Sequence, residues 1–273
     1  MFETFEDYET RVDGEKRPEK LGAMDAVEFA RKRLKFDPDE RQIEVLRSNA
    51  KRGILNCTRQ WGKSTIAAAK AVHRAFTQDK SLVLVASPTD RQSAELIRKA
   101  AGMVATLGIT PRGDGDNQTS LLFPNGSRIV GLPGMEATVR GFSAVSLLLI
   151  DEASRVEDAM YKALRPMLAV GNGDLWLMST PNGKRGFFYE CWAHDAADEW
   201  FRVSVPATEC ARISAEFLEA ERRAVGPVWF GQEYMGEFVD NGTETFGKDL
   251  VEGAVDDSFA PPGFMKGQNL WLG

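Results

Sequence analysis

Cysteine and histidine are scarce in this chain: three of the former and two of the latter in 273 residues. Cys57, Cys191 and Cys210 lie far apart and share no metal-ligand spacing, so a disulfide framework is not expected, and the odd count suits a reducing compartment. His73 and His194 are too isolated for a His-based metal site and read as structural or surface residues. No uncharged apolar run reaches the roughly 18 residues that a membrane span needs. The acidic, polar N-terminus MFETFEDYETRVDGEKRPEK has no apolar h-region, which excludes a secretory signal there. Positive charge is not in excess either: the net charge is −6 and the isoelectric point near 5.2. A basic footprint over the whole surface is therefore absent, and any nucleic-acid contact must come from a local patch or from several copies around the polymer. What is present is ordinary globular composition, 43% hydrophobic and 27% charged, enough for one large core and a small appendage.

Hydrophobic periodicity divides the chain. Residues 1–35 read as a charged N-terminal arm followed by a helix from about 24 to 35, and a second helix covers 39–49 with Asp37 or Asp39 as its cap. Strands are expected at 52–57, 81–87, 145–151, 174–180 and 199–207, with helices at 63–76, 89–107, 158–169 and 186–193 between them. Residues 119–123 and 127–133 read as a hairpin, because Asn125-Gly126 favours a tight turn. Several strands are apolar throughout rather than alternating, the mark of a parallel sheet buried on both faces. The expected architecture is an open α/β core over 36–207, a small helical subdomain over 208–240, and a Gly-, Asp- and Pro-rich linker over 241–273.

The segment CTRQWGKST, 57–65, lies between an expected strand and an expected helix. A polyphosphate needs backbone N–H groups, a close approach and a positive helix end. Here Gly62 permits the approach, Lys63 reaches the β/γ-phosphates and Ser64 ligates Mg²⁺, with Cys57, Thr58, Arg59, Gln60, Trp61 and Thr65 completing the cradle. Cys57 stands where the usual pattern has its first glycine. Taken alone, the stretch also fits an incidental Gly-Lys-Ser at a helix start. Arg59 either contacts the γ-phosphate or pairs with a carboxylate that fixes the loop.

SLLLIDEAS, 146–154, is an apolar strand delivering Asp151 and Glu152 to the end of a buried sheet, an expensive placement without a cation. Asp151 suits a Mg²⁺ shell, and Glu152 suits the general base that orients and deprotonates an attacking water. Together with the phosphate loop, this pair defines an ATP- and Mg²⁺-dependent hydrolase. DLWLMSTPNG ends a further strand in Ser179 and Thr180, which sense phosphate or simply make the turn before Pro181. Arg140 on a loop reads as a finger toward a neighbouring subunit's nucleotide or as a solvated arginine. Phe36 and Gln42 can stack on adenine and bond its edge, though Phe36 is equally suited to the core.

Taken in order, these stretches resemble the ATPase domain of the large terminase subunit of tailed bacteriophages. The residues that carry the resemblance are CTRQWGKST, VRGFSAVSLLLIDEAS, LWLMSTPNGKRGFFY and WFGQEYMGEFVD, within about Phe36 to Asp240. The resemblance implies an additional-strand, conserved-glutamate (ASCE, RecA-like) P-loop NTPase with a small helical lid subdomain. It implies that Gln42 reads adenine, that Ser179 and Thr180 couple hydrolysis to movement, and that Arg140 acts in trans within a ring. Implied partners are double-stranded DNA, the portal protein and the small terminase subunit, without a membrane, in the host cytoplasm and transiently on the procapsid. Many relatives continue into a nuclease. The chain is expected to be a fragment lacking it, with no nuclease activity. The expected function is thus an ATP-driven motor translocating DNA into a procapsid. The alternatives are a helicase-like ATPase, which would usually carry two tandem motor domains, and a nucleotide-gated assembly module with little turnover alone.

Overall fold

The computed structural model describes residues 24–116, 119–132, 141–193 and 200–239. Arg140, most of the N-terminal arm, and the 241–273 linker lie outside them. Two short helices, α1 (Ala26–Lys32) and α2 (Glu40–Arg47), precede the sheet. Asp25 caps α1 by accepting from the Val27 and Glu28 amides, and Asp39 caps α2 by accepting from the Gln42 amide. The first helix is shorter than the expected 24–35 run, and beyond it Lys35 adopts a left-handed φ of 54° that no helix continues through.

Seven strands follow, interleaved with helices: β1 (Arg52–Cys57), α3 (Lys63–Thr77), β2 (Leu82–Ala86), α4 (Asp90–Thr106), β3 (Ser120–Leu122), β4 (Arg128–Gly131), β5 (Leu147–Asp151), α5 (Asp158–Leu164), β6 (Asp174–Ser179), α6 (Gly186–Ala193) and β7 (Phe201–Val205). The sheet order is β3-β4-β2-β5-β6-β1-β7. Every pairing is parallel except β3 with β4. That hairpin turns through Phe123–Gly126, with the Gly126 amide donating to the Phe123 carbonyl and Gly126 at φ 78°. Asn125 keeps a negative φ, so the turn is a three-residue loop with a glycine bulge rather than a mirror-image two-residue turn.

The all-apolar strands are explained by what covers them. Leu55, Val83, Val85, Leu147, Leu149, Trp176 and Met178 face one core with α1 to α4, while Ile54, Leu84, Leu148, Ile150, Leu175 and Leu177 face another with α5 and α6. Residues alternate between faces, yet both faces are dry. α1 is part of the first core, because Phe29 packs on the rings of His73 and Phe76 at centroid distances of 5.2 and 5.3 Å. The expected 158–169 helix stops at Leu164, and a 3₁₀ turn over Arg165–Leu168 follows, since Pro166 cannot continue the hydrogen-bond ladder. After β7 come a 3₁₀ turn (Ala207–Glu209), α7 (Ala215–Val225), α8 (Pro227–Phe230) and a π turn (Gly231–Met235). Ala207, Leu218 and Phe230 form a separate small core there. Among the described residues no helix is long and apolar enough to cross a membrane.

Gly53 shows how close the packing is. It sits opposite Trp176 in the β1–β6 register, and a Cβ on it would stand 2.3 Å from the indole Cε3. Trp176 is 1% exposed, with the Lys70 ammonium 4.0 Å above its ring, so it has nowhere to retreat. Gly53→Ala is expected to cost about 1–3 kcal/mol by overpacking, read as a lower urea midpoint at unchanged slope.

Candidate active site

The chain skips two strands between β1 and β2, because β6 and β5 lie between them in the sheet. The C-terminal tips of β1, β6 and β5 therefore share one edge, where an open α/β sheet has its binding crevice. β1 delivers Cys57 there, β6 delivers Ser179, and β5 delivers Asp151.

The loop from β1 to α3 begins inside the sheet. Cys57 is fully buried and pairs with Val205, so the position is still strand. The conformational freedom of a glycine is not needed there, which accounts for the departure at this point of the pattern. Burial pushes the Cys57 thiol up to about 12. Gln60 and Gly62 take positive φ values of 67° and 105°. A Cβ at Gly62 would lie 3.1 Å from Gln42 Nε2, so strain and space both favour glycine. Lys63 is 7% exposed, and its ammonium donates to the carbonyls of Cys57 and Thr58 at 2.9 and 3.0 Å. Among the described residues, the backbone N–H groups of Gln60, Trp61, Gly62, Lys63 and Ser64 make no hydrogen bond. Consecutive amides left unpaired at the start of a 15-residue helix, around a buried ammonium, fit the tail of a nucleoside triphosphate.

Across the crevice, Ser64 Oγ donates to Asp151 Oδ2 at 3.1 Å, joining the loop to the acidic strand tip. Burial raises the Asp151 carboxyl above the usual carboxylate range, and neighbouring Glu152 adds to the rise. Burial likewise lowers the Lys63 ammonium, opposed by Glu152. Both groups are thus displaced toward neutrality, the direction that a divalent cation on the carboxylate and a phosphate on the ammonium would reverse. A hydroxyl and one carboxylate are a set suited to Mg²⁺, which takes few protein ligands and fills its octahedron with phosphate oxygens and water. Among the described residues no group of three or more His, Cys, Asp or Glu could hold a metal by itself.

Glu152 takes a left-handed φ of 50°, an uncommon conformation for a residue with a side chain, and caps a 3₁₀ turn over Ala153–Arg155. Its Oε2 accepts from Arg155 at 3.3 Å. Ser179 and Thr180 are both buried. Ser154 Oγ lies 2.8 Å from Ser179 Oγ and donates to the Thr180 carbonyl, while Thr180 Oγ1 accepts from Arg155 at 3.2 Å. The phosphate-loop, acidic-pair and β6-tip residues expected from the sequence are therefore brought to one crevice.

Phe36 and Gln42 line an adjoining cleft of about 780 Å³, together with Trp61 of the loop and with Glu209 and Arg212 from the segment after β7. Gln42 is buried with its amide committed at both ends: Oε1 accepts from the Asp39 amide and Nε2 donates to the Trp61 carbonyl, each at 3.0 Å. It completes a capping box, and the same side chain braces the phosphate loop. Phe36 is half-buried against the first core while bordering the cleft.

Three residues at the site had no reading in the sequence. Glu233, on the π turn, is 2% exposed and binds two arginines. Arg155 directly follows DEAS. Arg212 reaches the Trp61 carbonyl. Arg59 takes the second of its expected alternatives here, with Nε donating to Glu233 Oε2 at 2.6 Å.

A parallel sheet whose first strand runs into a Gly-Lys-Ser loop, facing an acidic pair on a nearby strand tip, defines the P-loop NTPase class. The family described as "Terminase large subunit, T4likevirus-type, N-terminal" matches residues 54–252, and the chain belongs to it. The large terminase subunit of Thermus phage G20c is 26% identical over 259 residues, covering 80% of this chain and 52% of that protein, so the chain spans about half the length of this curated relative. The ATPase domain of the Thermus phage P74-26 large terminase superposes with a TM-score of 0.68 at 22% identity, covering 78% of this chain and 97% of that one. The large terminase of bacteriophage D6E, solved in complex with ADP, gives 0.64 at 15% identity, covering 73% and 53%. At these identities the two structures establish the fold.

Proposed function

We propose that the chain is the ATP-hydrolysing part of a viral genome-packaging motor, which works as a ring on the portal and drives double-stranded DNA into a procapsid. The observation that carries the reading is the Ser64–Asp151 contact, which couples a phosphate loop to an acidic strand tip in a chain of this family. That D6E large terminase is solved with ADP and with ATP-gamma-S supports nucleotide as the ligand.

In this reading the base sits in the cleft against Phe36 and Gln42, and the amides of residues 60–64 hold the phosphates. Lys63 gives up its two loop carbonyls to bond the β- and γ-oxygens. Ser64 and Asp151 would hold Mg²⁺, which would supply neutralisation of negative charge on the phosphates. Glu152 orients a water and takes its proton on the carboxylate. Ser179 and Thr180, tied to Ser154 and Arg155, carry the rearrangement outward from the β6 tip. Residues 208–240 act as the lid over the nucleotide side, and Arg140 of one subunit serves the nucleotide of the next. Double-stranded DNA, the portal protein and the small terminase subunit are the partners, met in the host cytoplasm.

Steady-state phosphate release at increasing protein concentration tests the assembly. Specific activity is expected to rise with concentration and with added double-stranded DNA. Mixing an Arg140→Ala chain with a Lys63→Ala chain should recover part of the rate, since each supplies what the other lacks. Flat specific activity with no recovery in a competent oligomer would remove the ring and the trans role together.

A further inference from the structure

Buried serine hydroxyls in this chain find partners almost everywhere. Ser81 and Ser127 bond each other, Ser93 donates to the Leu132 carbonyl, Ser120 to Asp114, Ser146 to the Leu82 carbonyl, and Ser179 lies against Ser154. Ser87 is the exception. It is fully buried and its Oγ makes no hydrogen bond. An unpaired hydroxyl in a dry core destabilises the fold, so such a group calls for a cause outside the packing. Among the described residues one other buried side-chain polar atom shares that state, Asn56 Oδ1, whose Nδ2 is already held by the Gly236 carbonyl.

Ser87 directly follows β2, and the strand register fixes its place. Val83 lies beside Leu147 and Ala86 beside Ile150, so the next step brings Ser87 level with Asp151. The faces agree as well. Val83, Val85, Leu147 and Leu149 belong to the core that α1 to α4 cover, whereas Leu84, Ala86, Leu148 and Ile150 belong to the opposite one. One residue further on, both strands return to the first face, and there Asp151 meets Ser64 of α3. Asn56 follows Leu55 and so falls on the other face. Adjacent strands are about 4.8 Å apart, a spacing that lets Ser87 and Asp151 share a water although no direct bond joins them. Both oxygens of that carboxylate are engaged, Oδ2 by Ser64 and Oδ1 by the Glu152 amide, each at 3.1 Å.

We propose that Ser87 is a positioning residue of the metal site, its hydroxyl taking a water from the shell of the Mg²⁺ that Ser64 and Asp151 would hold. The proposal rests on the functional reading above. Mg²⁺ keeps several of its waters when few protein groups ligate it, and outer-shell partners fix how such ligands are oriented. The β2 tip thereby joins the metal side of the crevice, although no phosphate-loop or acidic motif includes it. Ser87 is satisfied only with metal and nucleotide in place.

Ser87→Ala removes the hydroxyl and little else. Without nucleotide the variant should melt about 2–4 °C above the parent, because an unpaired buried hydroxyl has gone. Calorimetric titration with ATP-gamma-S, once with Mg²⁺ and once with EDTA, gives the second readout. The parent should bind more tightly with the metal, and Ser87→Ala should lose about tenfold of that gain, the low end of what an outer-shell partner contributes. Its affinity in EDTA should match the parent's. A structural role predicts the reverse: a lower melting temperature or failure to fold, with both affinities weakened together, overturns the proposal. A hydroxyl aimed at the attacking water would lower kcat at unchanged magnesium dependence, which overturns it too. If Mg²⁺ does not tighten binding even to the parent, the functional reading and the proposal fall together. If the parent gains from the metal and Ser87→Ala gains as much, the proposal falls alone.

Discussion

A Glu152→Gln chain is expected to bind ATP-gamma-S as tightly as the parent, within about a factor of three, while its steady-state hydrolysis falls by about 10²–10⁴-fold, the usual contribution of a positioned general base. The two carboxylates at the β5 tip differ in what they touch. Asp151 is 6% exposed and accepts from Ser64, which ties it to the phosphate loop. Glu152 is half-buried, turned by its left-handed backbone away from the strand direction, and bonded only loosely to Arg155. A glutamine there preserves size and can still accept from Arg155, so folding and phosphate binding survive. It cannot take a proton from water. Fluorescent-nucleotide titration and phosphate release on the same preparation read the two halves. Equal losses in both would show that Glu152 holds the loop rather than the water, and unchanged turnover in the assembled state would remove it from the chemistry.

The parts of the site that were legible in the sequence are those whose physics is local. A run such as LLLID can be apolar throughout only if both faces are covered, so β5 and its acidic end followed from the residues alone. Gly62 declared itself because a helix start that admits phosphate needs that backbone. Other features depended on packing. Glu233, in the stretch QEY, has nothing local to separate it from a solvated glutamate. Only the docking of the π turn on the strand tips buries it between Arg59 and Arg155. Arg155 is adjacent to the acidic pair, yet its bond to Glu152 requires the 3₁₀ turn that brings it back beside that carboxylate. Gln42 lies between the two cases. Its spacing from Asp39 is that of a capping box, a signal present in the sequence, while its bond to the Trp61 carbonyl depends on α2 packing beside the loop. The cleft next to it was reachable only from the fold, since Arg212 and Glu209 come from the segment after β7, distant in sequence from α2.

Removing the Lys63 ammonium is expected to separate the two tasks that this side chain holds. In the present structure it donates to the Cys57 and Thr58 carbonyls, and Thr58 is fully buried. Lys63→Ala leaves two acceptors without that donor, a loss of about 1–3 kcal/mol in stability for a buried unsatisfied group. That appears as a lower melting temperature without nucleotide. The larger effect belongs to binding. A buried ammonium facing two phosphate oxygens acts where water is excluded, and its loss should weaken ATP-gamma-S by about 100-fold or more, given the 2–5 kcal/mol attached to breaking such desolvated charge pairs. AMP affinity should barely change, because AMP carries neither the β- nor the γ-phosphate that the ammonium would meet. Calorimetric titration with AMP, ADP and ATP-gamma-S therefore gives a graded loss if Lys63 meets the β- and γ-phosphates. If the lysine were only a clamp for its own loop, all three nucleotides would weaken together by the same small factor, in step with the fall in melting temperature.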